Sequence, residues 1–320
     1  MKKSTKGLLI TGALLILFGI IIFTGVMAAN HWDFSKLSTV QLVSSTYQVD
    51  DKFDDISLKT DVEDIIFLPS DDGKCRVVCD EPKNVKAAVS VQGKTLTINT
   101  TDNEKKNFYI GIMLNTPKIS VYLPEREYSL LRINENTGDI KLPDAFTFGK
   151  IDIEADTANV KCRSSASDSI KIKLSTGDMD ISDLSANSLD LTATTGEIKA
   201  DSISCKSDIQ VKVSTGDSKF TDISCKNFIS KGSTGEIFLT DVIAAEKISI
   251  ERSTGDVAFN ACDAGDIFIK TTTGNVNGIL LSDKIFITET NTGNVSVPKS
   301  LSGDKCEVHT TTGDIEIKTK

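Results

Sequence analysis

The sequence predicts an all-β fold: a parallel β-helix (solenoid) of ~20-residue coils with an irregular β N-terminal cap, preceded by one transmembrane helix. Three observations carry that reading. A Thr-Gly-acid/amide turn occurs nine times, from Thr137-Gly138-Asp139 to Thr312-Gly313-Asp314. Its glycines lie 19 or 20 residues apart, except for a double gap of 39 between Gly138 and Gly177 whose midpoint holds the decayed copy Thr157-Ala158-Asn159. Apolar residues alternate with polar ones on both sides of every turn, and a single long apolar run opens the chain.

In chain order, residues 1–7 read as a cytoplasmic stub and 8–29 as a transmembrane anchor. Leu8–Ala29 is a 22-residue stretch without a charge, behind Lys2, Lys3 and Lys6. That length spans a bilayer, and the lysines set the N-terminus in the cytoplasm. A cleaved signal peptide is the alternative, since Val26-Met27-Ala28-Ala29 resembles a cleavage site, but the run is longer than a signal core and favours a retained anchor. Trp32 and Phe34 are placed to anchor at the outer interface. Residues 30–50 read as a polar stalk, with everything beyond the helix exported.

Residues 51–135 read as a β-rich cap and first coils. Strands are expected over Asp55–Lys59, Asp64–Leu68, Lys74–Cys79, Lys86–Gln92, Thr95–Asn99, Lys118–Leu123 and Leu130–Asn134, with turns at Asp71-Asp72-Gly73 and Gln92-Gly93-Lys94. Thr101–Asn107 reads as a charged loop.

Residues 136–320 form the repeat itself. Two and four residues after each glycine stand Ile140 and Leu142, Ile198 and Ala200, Val257 and Phe259, and their equivalents. Seven and five before it stand Leu131 and Ile133, Ile170 and Ile172, Ile267 and Ile269. A third, shorter face seven after the glycine holds Leu184, Ile203, Ile223, Val242, Cys262 and Leu281. Three short strands per coil therefore point into one thin core, with a second, weaker corner, and each stacks on its counterpart in the next coil. At about 4.8 Å per coil, nine steps rise roughly 43 Å. An antiparallel meander is the rival, because Thr-Gly-Asp also closes hairpins. One turn per repeat fits a coil better.

The anchor, a Val-Tyr-Leu-Pro element (Val121–Pro124) and the Ser-Thr-Gly-Asp-Ile rungs together resemble a bacterial family of unknown function, regarded as candidate adhesins, with LiaG-like membrane-anchored members linked to cell-envelope stress systems. The resemblance covers roughly Phe53 to the C-terminus. It implies an extracytoplasmic β-helix with a role in envelope sensing or adhesion, and it carries over no catalytic residue.

The residue after each turn glycine is Asp, Glu or Asn, so stacking makes an acidic column. It has two readings: cation or cationic-peptide binding, or turn chemistry in which the side chains accept backbone N–H groups. The nine-residue pattern of calcium-binding β-rolls is missing. The seven cysteines show no metal-ligand spacing. Cys75 and Cys79 share a strand face, and Cys162, Cys262 and Cys306 fall in core phases. Cys205 and Cys225 share one phase on adjacent coils, at a separation that suits either small-residue packing or a disulfide. No metal or cofactor is expected.

Only His31 and His309 exist, and the loops barely vary from coil to coil, so the reading is not an enzyme; a polysaccharide-cleaving β-helix is the remote rival. Net charge is −9, and discounting Lys2, Lys3 and Lys6 leaves −12 for the exported part. That excess disfavours nucleic acid and anionic lipid, and favours cationic partners. Arg252 stands three before its glycine, in a core phase, and is expected to lean out or pair with an acid. The coil holding Ser218, Phe220, Phe228, Ser230 and Gly232 reads as compensated packing. Gly278 and Ile279-Leu280-Leu281 mark a second irregular coil. The final strand, with Glu316, Lys318 and Lys320 outward, is expected to form an open docking end. The functional expectation is a membrane-anchored interaction or sensing module; the alternatives are a surface adhesin or spacer, and, less favoured, a carbohydrate-active enzyme.

Overall fold

The computed structural model describes residues 3–34, 38, 40–83, 86–101 and 115–320. From residue 102 onward the expected charged loop lies outside the described residues. The helix α1 runs Lys3–Ala29 and is long and apolar enough to cross a membrane. Beyond it the chain is built of β-strands.

Seven strands precede the regular coils: β1 (Leu42–Val49), β2 (Asp55–Thr60), β3 (Asp64–Pro69), β4 (Cys75–Pro82), β5 (Ala88–Gln92), β6 (Thr95–Asn99) and β7 (Lys118–Leu123). The coils begin with β8 (Glu127–Thr137), β9 (Ile140–Leu142), β10 (Thr147–Thr157), β11 (Val160–Cys162), β12 (Ser165–Thr176) and β13 (Met179–Ala186). They continue through β14 (Ser188–Thr195), β15 (Ile198–Cys205), β16 (Asp208–Thr215), β17 (Ser218–Thr234), β18 (Ile237–Thr254) and β19 (Val257–Thr273). Last come β20 (Val276–Leu280), β21 (Lys284–Thr292), β22 (Val295–Ser296), β23 (Asp304–Thr312) and β24 (Ile315–Thr319).

Pairing within the repeat is parallel, as a coil requires and a meander forbids. Thr157, Thr176, Thr195, Thr215, Thr234, Thr254 and Thr273 stand rung upon rung. At the corner itself, Gly196 N donates to Thr215 O at 3.0 Å. Glycine is needed there for two reasons at once. Its φ is +143°, and a Cβ would lie 1.9 Å from the Gly177 carbonyl oxygen of the rung beneath. Six residues after the glycine a second corner is made by left-handed Asp183, Ser202, Asp222, Asp241 and Ala261. Short polar side chains tolerate that conformation better than most, which explains four of the five.

The apolar phases read from the sequence are the buried column, from Ile56 and Leu58 at the cap to Cys306 and Val308 near the other end. Phe220 and Phe228 meet edge to face at 4.8 Å in the core of the coil whose other core positions hold the small, fully buried Ser218 and Ser230.

Four expectations need correction. Residues 42–49 are not stalk: β1 pairs antiparallel with β4, and Tyr47 and Val49 pack on the core. Serine and threonine make up three of its eight residues and only Tyr47 and Val49 pack on the core, too weak a signal to stand out.

Coils do not always stack on their sequence neighbours. β2 and β3 lie directly on β8 and β9, while β6 and β7, from later in the chain, cover their far side. At the C-terminal end, β23 pairs with β19 on one side and β21 on the other, and β24 lies between β20 and β22. The final strand is therefore interior, and the coil before it is the terminal one.

Leu281 is exposed, because the register shifts after Asn260 and Leu280 takes the place opposite Cys262. Gly278 gives room for the Phe259 ring, which a Cβ would meet at 2.0 Å.

Arg252 neither leans out nor meets an acid. It is 5% exposed, donating to Ser230 Oγ at 3.0 Å and to the Glu251 carbonyl at 3.2 Å. Gly232 on the neighbouring rung makes the space, since a Cβ there would lie 2.5 Å from a guanidinium nitrogen. Burial without a counter-charge pushes its pKa down to about 10.

Candidate functional site

The two ends of the solenoid are unlike. At the N-terminal end, β5 pairs antiparallel with β6, and β1, β4 and β7 form an antiparallel layer, so the first coil is covered. At the other end, β21 pairs only with β23 among the described residues. Nine residues, Lys284–Thr292, thus present one edge of backbone donors and acceptors.

The side chains around that edge are equally unusual. Ile285 and Ile287 point outward from β21, Ile287 being 48% exposed, and Leu281, Val295 and Leu301 are exposed on the same coil. Phe286 and Val297 are only partly buried, so the core itself is incompletely closed here. Asp283 and Glu289 balance Lys284 and Lys299 over residues 281–301, leaving the terminal coil neutral on an acidic chain.

A buried cation fixes this coil to the rest. Lys284 is 1% exposed, and its Nζ donates to Asp263 Oδ1 and to the Ala264 carbonyl, each at 2.7 Å, with Asp304 at 3.6 Å. Burial opposes the Asp263 charge, but hydrogen bonds from Lys284 and Ser282 outweigh it and hold the carboxyl below its ordinary range.

Beside the edge, a lateral cleft of about 420 Å³ is lined by Phe268, Lys270, Glu289, Asn291, Glu307 and His309. His309 bridges two acids, Nε2 to Glu307 at 2.8 Å and Nδ1 to Glu289 at 3.2 Å, tying β23 to β21. The hydrogen bonds from His309 and then Lys305 hold the Glu307 carboxyl below its usual range.

The acidic column behaves as turn chemistry. Asp178 Oδ1 accepts Glu197 N at 2.8 Å, Asp217 Oδ1 accepts Glu236 N at 2.8 Å, and Asn159 and Asn275 play the same part through their amide oxygens. Among the described residues, no group of three or more His, Cys, Asp or Glu side chains is placed to hold a metal ion. All seven cysteines are buried free thiols, Cys205 and Cys225 included; burial raises these two to about 11 and about 12.

Sequence reasoning did not find the terminal edge. Its signal was available: Ile285 and Ile287 occupy phases where the neighbouring rung carries Lys305 and Glu307. Apolar residues at outward phases mark a coil that is not an ordinary rung.

The fold and this site together define a class: a β-solenoid behind one apolar helix, closed at its N-terminal end and open at the other. The chain belongs to the Toastrack DUF4097 family, whose pattern it matches over residues 53–211 and again over 206–320. Similar solved structures include a candidate adhesin from Parabacteroides distasonis, at 12% identity, covering 87% of this chain and 98% of that one with a TM-score of 0.48. Another, from Bacteroides fragilis, has 15% identity, coverage of 88% and 97%, and a TM-score of 0.36. A third, from Parabacteroides distasonis, is described as a candidate lipid-binding protein, at 14% identity, coverage of 87% and 96%, and a TM-score of 0.32. None of the curated proteins matches this chain.

Proposed function

We propose that this protein is a membrane-anchored interaction module: α1 retained in the bilayer, the solenoid on the exported side, and the terminal coil as its docking surface. One observation carries the reading. Among the described residues, a group of exposed apolar side chains (Leu281, Ile285, Ile287, Val295 and Leu301) coincides with the unpaired edge of β21, at the end farthest along the stack from the cap. Such an edge takes a partner strand by β-augmentation, with backbone hydrogen bonds for affinity and the Ile285/Ile287 face for selectivity. The partner is a protein or peptide segment at the cell envelope, and regulation or sensing of envelope stress is the role that fits it. An adhesin is the second reading, after the description given to similar solved structures.

The test is site-specific photo-crosslinking in intact cells, with the probe at Ile287 and, as control, at Lys212 on the side of the stack. Specific capture of one membrane or envelope protein at position 287 supports the module. Capture of wall polymer or host surface instead favours the adhesin, and equal patterns at both positions overturn the docking surface.

A further inference from the structure

Three before each turn glycine lies a core corner, filled along the stack by Ala155, Leu174, Ala193 and Val213, all buried. In the first regular coil that slot holds Glu135, which is 4% exposed. Its rung partner is Thr60, whose hydroxyl donates to Oε2, and Thr137 N donates to Oε1 at 3.2 Å.

The corner beneath is built around a second buried acid. Glu63 lies where later coils carry glycine: a Cβ on Gly138 would meet the Glu63 carbonyl oxygen at 2.3 Å. Glu63 is also 4% exposed, and its Oε2 accepts from Asp61 N, Val62 N and the Thr100 hydroxyl, each at 3.0 Å. A third carboxyl, Glu81 on β4 of the cap, is 3% exposed; Oε2 accepts Ala87 N, and Oε1 has no hydrogen-bond partner among the described residues.

The groups that act most strongly on Glu135 are burial, Thr60, Glu63, Thr137 and Asp61, with no cation among them. Those acting on Glu81 are burial, Ala87, Ser45, Glu63 and Lys86, the last a single cation. Cys79, also on β4, feels Glu81, Glu63 and Asp80. A carboxyl buried beside acids, with no cation against it, favours its neutral form, and Glu135 is the one so placed. Burial first, with the Glu63 and Asp61 charges adding to it, pushes Glu135 up to about 8.

Position gives this proton a consequence. Glu135 and Glu63 lie at the seam where the out-of-order first coil, β2 and β3, meets β8 and β9, and Glu81 lies in the cap layer on β4. The rest of the seam is held by the parallel ladder of β2 on β8 and β3 on β9, with Ile65 N to Asp139 O and Thr137 N to Asp61 O each at 2.8 Å, Asp139 N to Asp64 Oδ1 at 2.9 Å and Asn136 Nδ2 to Asp61 Oδ1 at 2.6 Å. We propose that Glu135, with Glu63 and Glu81, forms a proton-held latch between the cap and the repeat. With the proton bound at Glu135, the first coil is seated. When it leaves, a carboxylate is stranded beside Glu63 in the core, and the first coil and cap loosen from β8 while the remaining rungs stay stacked. The exported domain would then read the acidity of its surroundings through its cap.

Hydrogen exchange by mass spectrometry on the full chain in detergent tests this. Protection of peptides from residues 55–69 and 127–142 is compared with residues 179–195, at about pH 6 and about pH 9, after correction for intrinsic exchange. The expected result is a loss of seam protection of about tenfold or more relative to the reference peptides. Glu135→Gln, which mimics the protonated acid, keeps the seam protected at both values. Glu63→Gln retains the acid at position 135 but removes its charged neighbour, and shows a smaller loss than wild type. The latch is overturned if seam and reference peptides change in parallel, or if Glu135→Gln retains the wild-type dependence. Should Glu135→Gln not fold, a Glu63→Gln loss equal to wild type overturns it.

Discussion

Arg252 offers the sharpest test of how this thin core tolerates charge. Burial pushes its pKa down from the ordinary guanidinium value to about 10, a difference that converts to about 3.4 kcal/mol of unfavourable burial. Against this stand two charge-assisted hydrogen bonds, to Ser230 Oγ and the Glu251 carbonyl, each contributing about 1.5–3 kcal/mol. The terms nearly cancel. Arg252→Met is therefore expected to change unfolding free energy by no more than about 1 kcal/mol, because relief of the buried charge is offset by orphaning Ser230. Ser230 is fully buried, and an unpartnered hydroxyl there costs about 1–3 kcal/mol. Removing it as well should rescue that cost: Ser230→Ala destabilises the wild type but is neutral or stabilising when combined with Arg252→Met. Urea denaturation of the four proteins gives a coupling energy expected near about 2 kcal/mol. A loss above about 3 kcal/mol for Arg252→Met, or a coupling below about 0.5 kcal/mol, would refute the reasoning.

The same geometry sets further outcomes. Gly235→Ala puts a Cβ 2.1 Å from the Gly216 carbonyl oxygen at a φ of +130°, and should cost about 3 kcal/mol or more in denaturant melts; Gly73→Ala, with open space around it, should cost about 1 kcal/mol. Asp217→Ala loses the acceptor for Glu236 N and is expected to cost about 1 kcal/mol, whereas Asp217→Asn keeps an acceptor oxygen and stays within about 0.5 kcal/mol. Ile285→Lys, on the same exposed edge, should leave stability within about 0.5 kcal/mol while abolishing crosslinking from the probe at position 287. The folded-state carboxyl of Glu135 titrates at about 8, against an ordinary 4.5. Folding thus favours the protonated form, so its stabilising share is full at low pH and lost as pH rises from about 4.5 to about 8. Thermal melts should fall over that window in wild type and stay level in Glu135→Gln; a wild type that gains stability across it contradicts the assignment.

Much of the rung was legible from residues alone. The Thr-Gly-Asp corner, the flanking alternation and the third face at Leu184, Ile203, Ile223 and Val242 all reappear in the structure, because a repeat with two-residue periodicity leaves few ways to hide its apolar side chains. Arg252 was seen to be anomalous but misplaced: nothing local reveals that Gly232, on the preceding coil, vacates the space its guanidinium fills. Glu135 was within reach, since counting three back from Gly138 puts a carboxyl in the same core corner. Leu281 lost its expected place to Leu280 through a one-residue slip that periodicity does not register.

The residues of one repeat specify what a coil is; the packing of the whole chain selects which coil lies against which. The reason is the regularity of the repeat. Every rung carries its apolar side chains in the same phase, so β23 can stack on β19 as well as β21 could, with Thr273 opposite Thr312 rather than Thr292. Local pattern is blind to that choice, which depends on how the connecting segments run and on the total surface buried at each end. From it come the interior C-terminal strand, the seam that holds Glu63 and Glu135 together, and the open edge at Ile285 and Ile287.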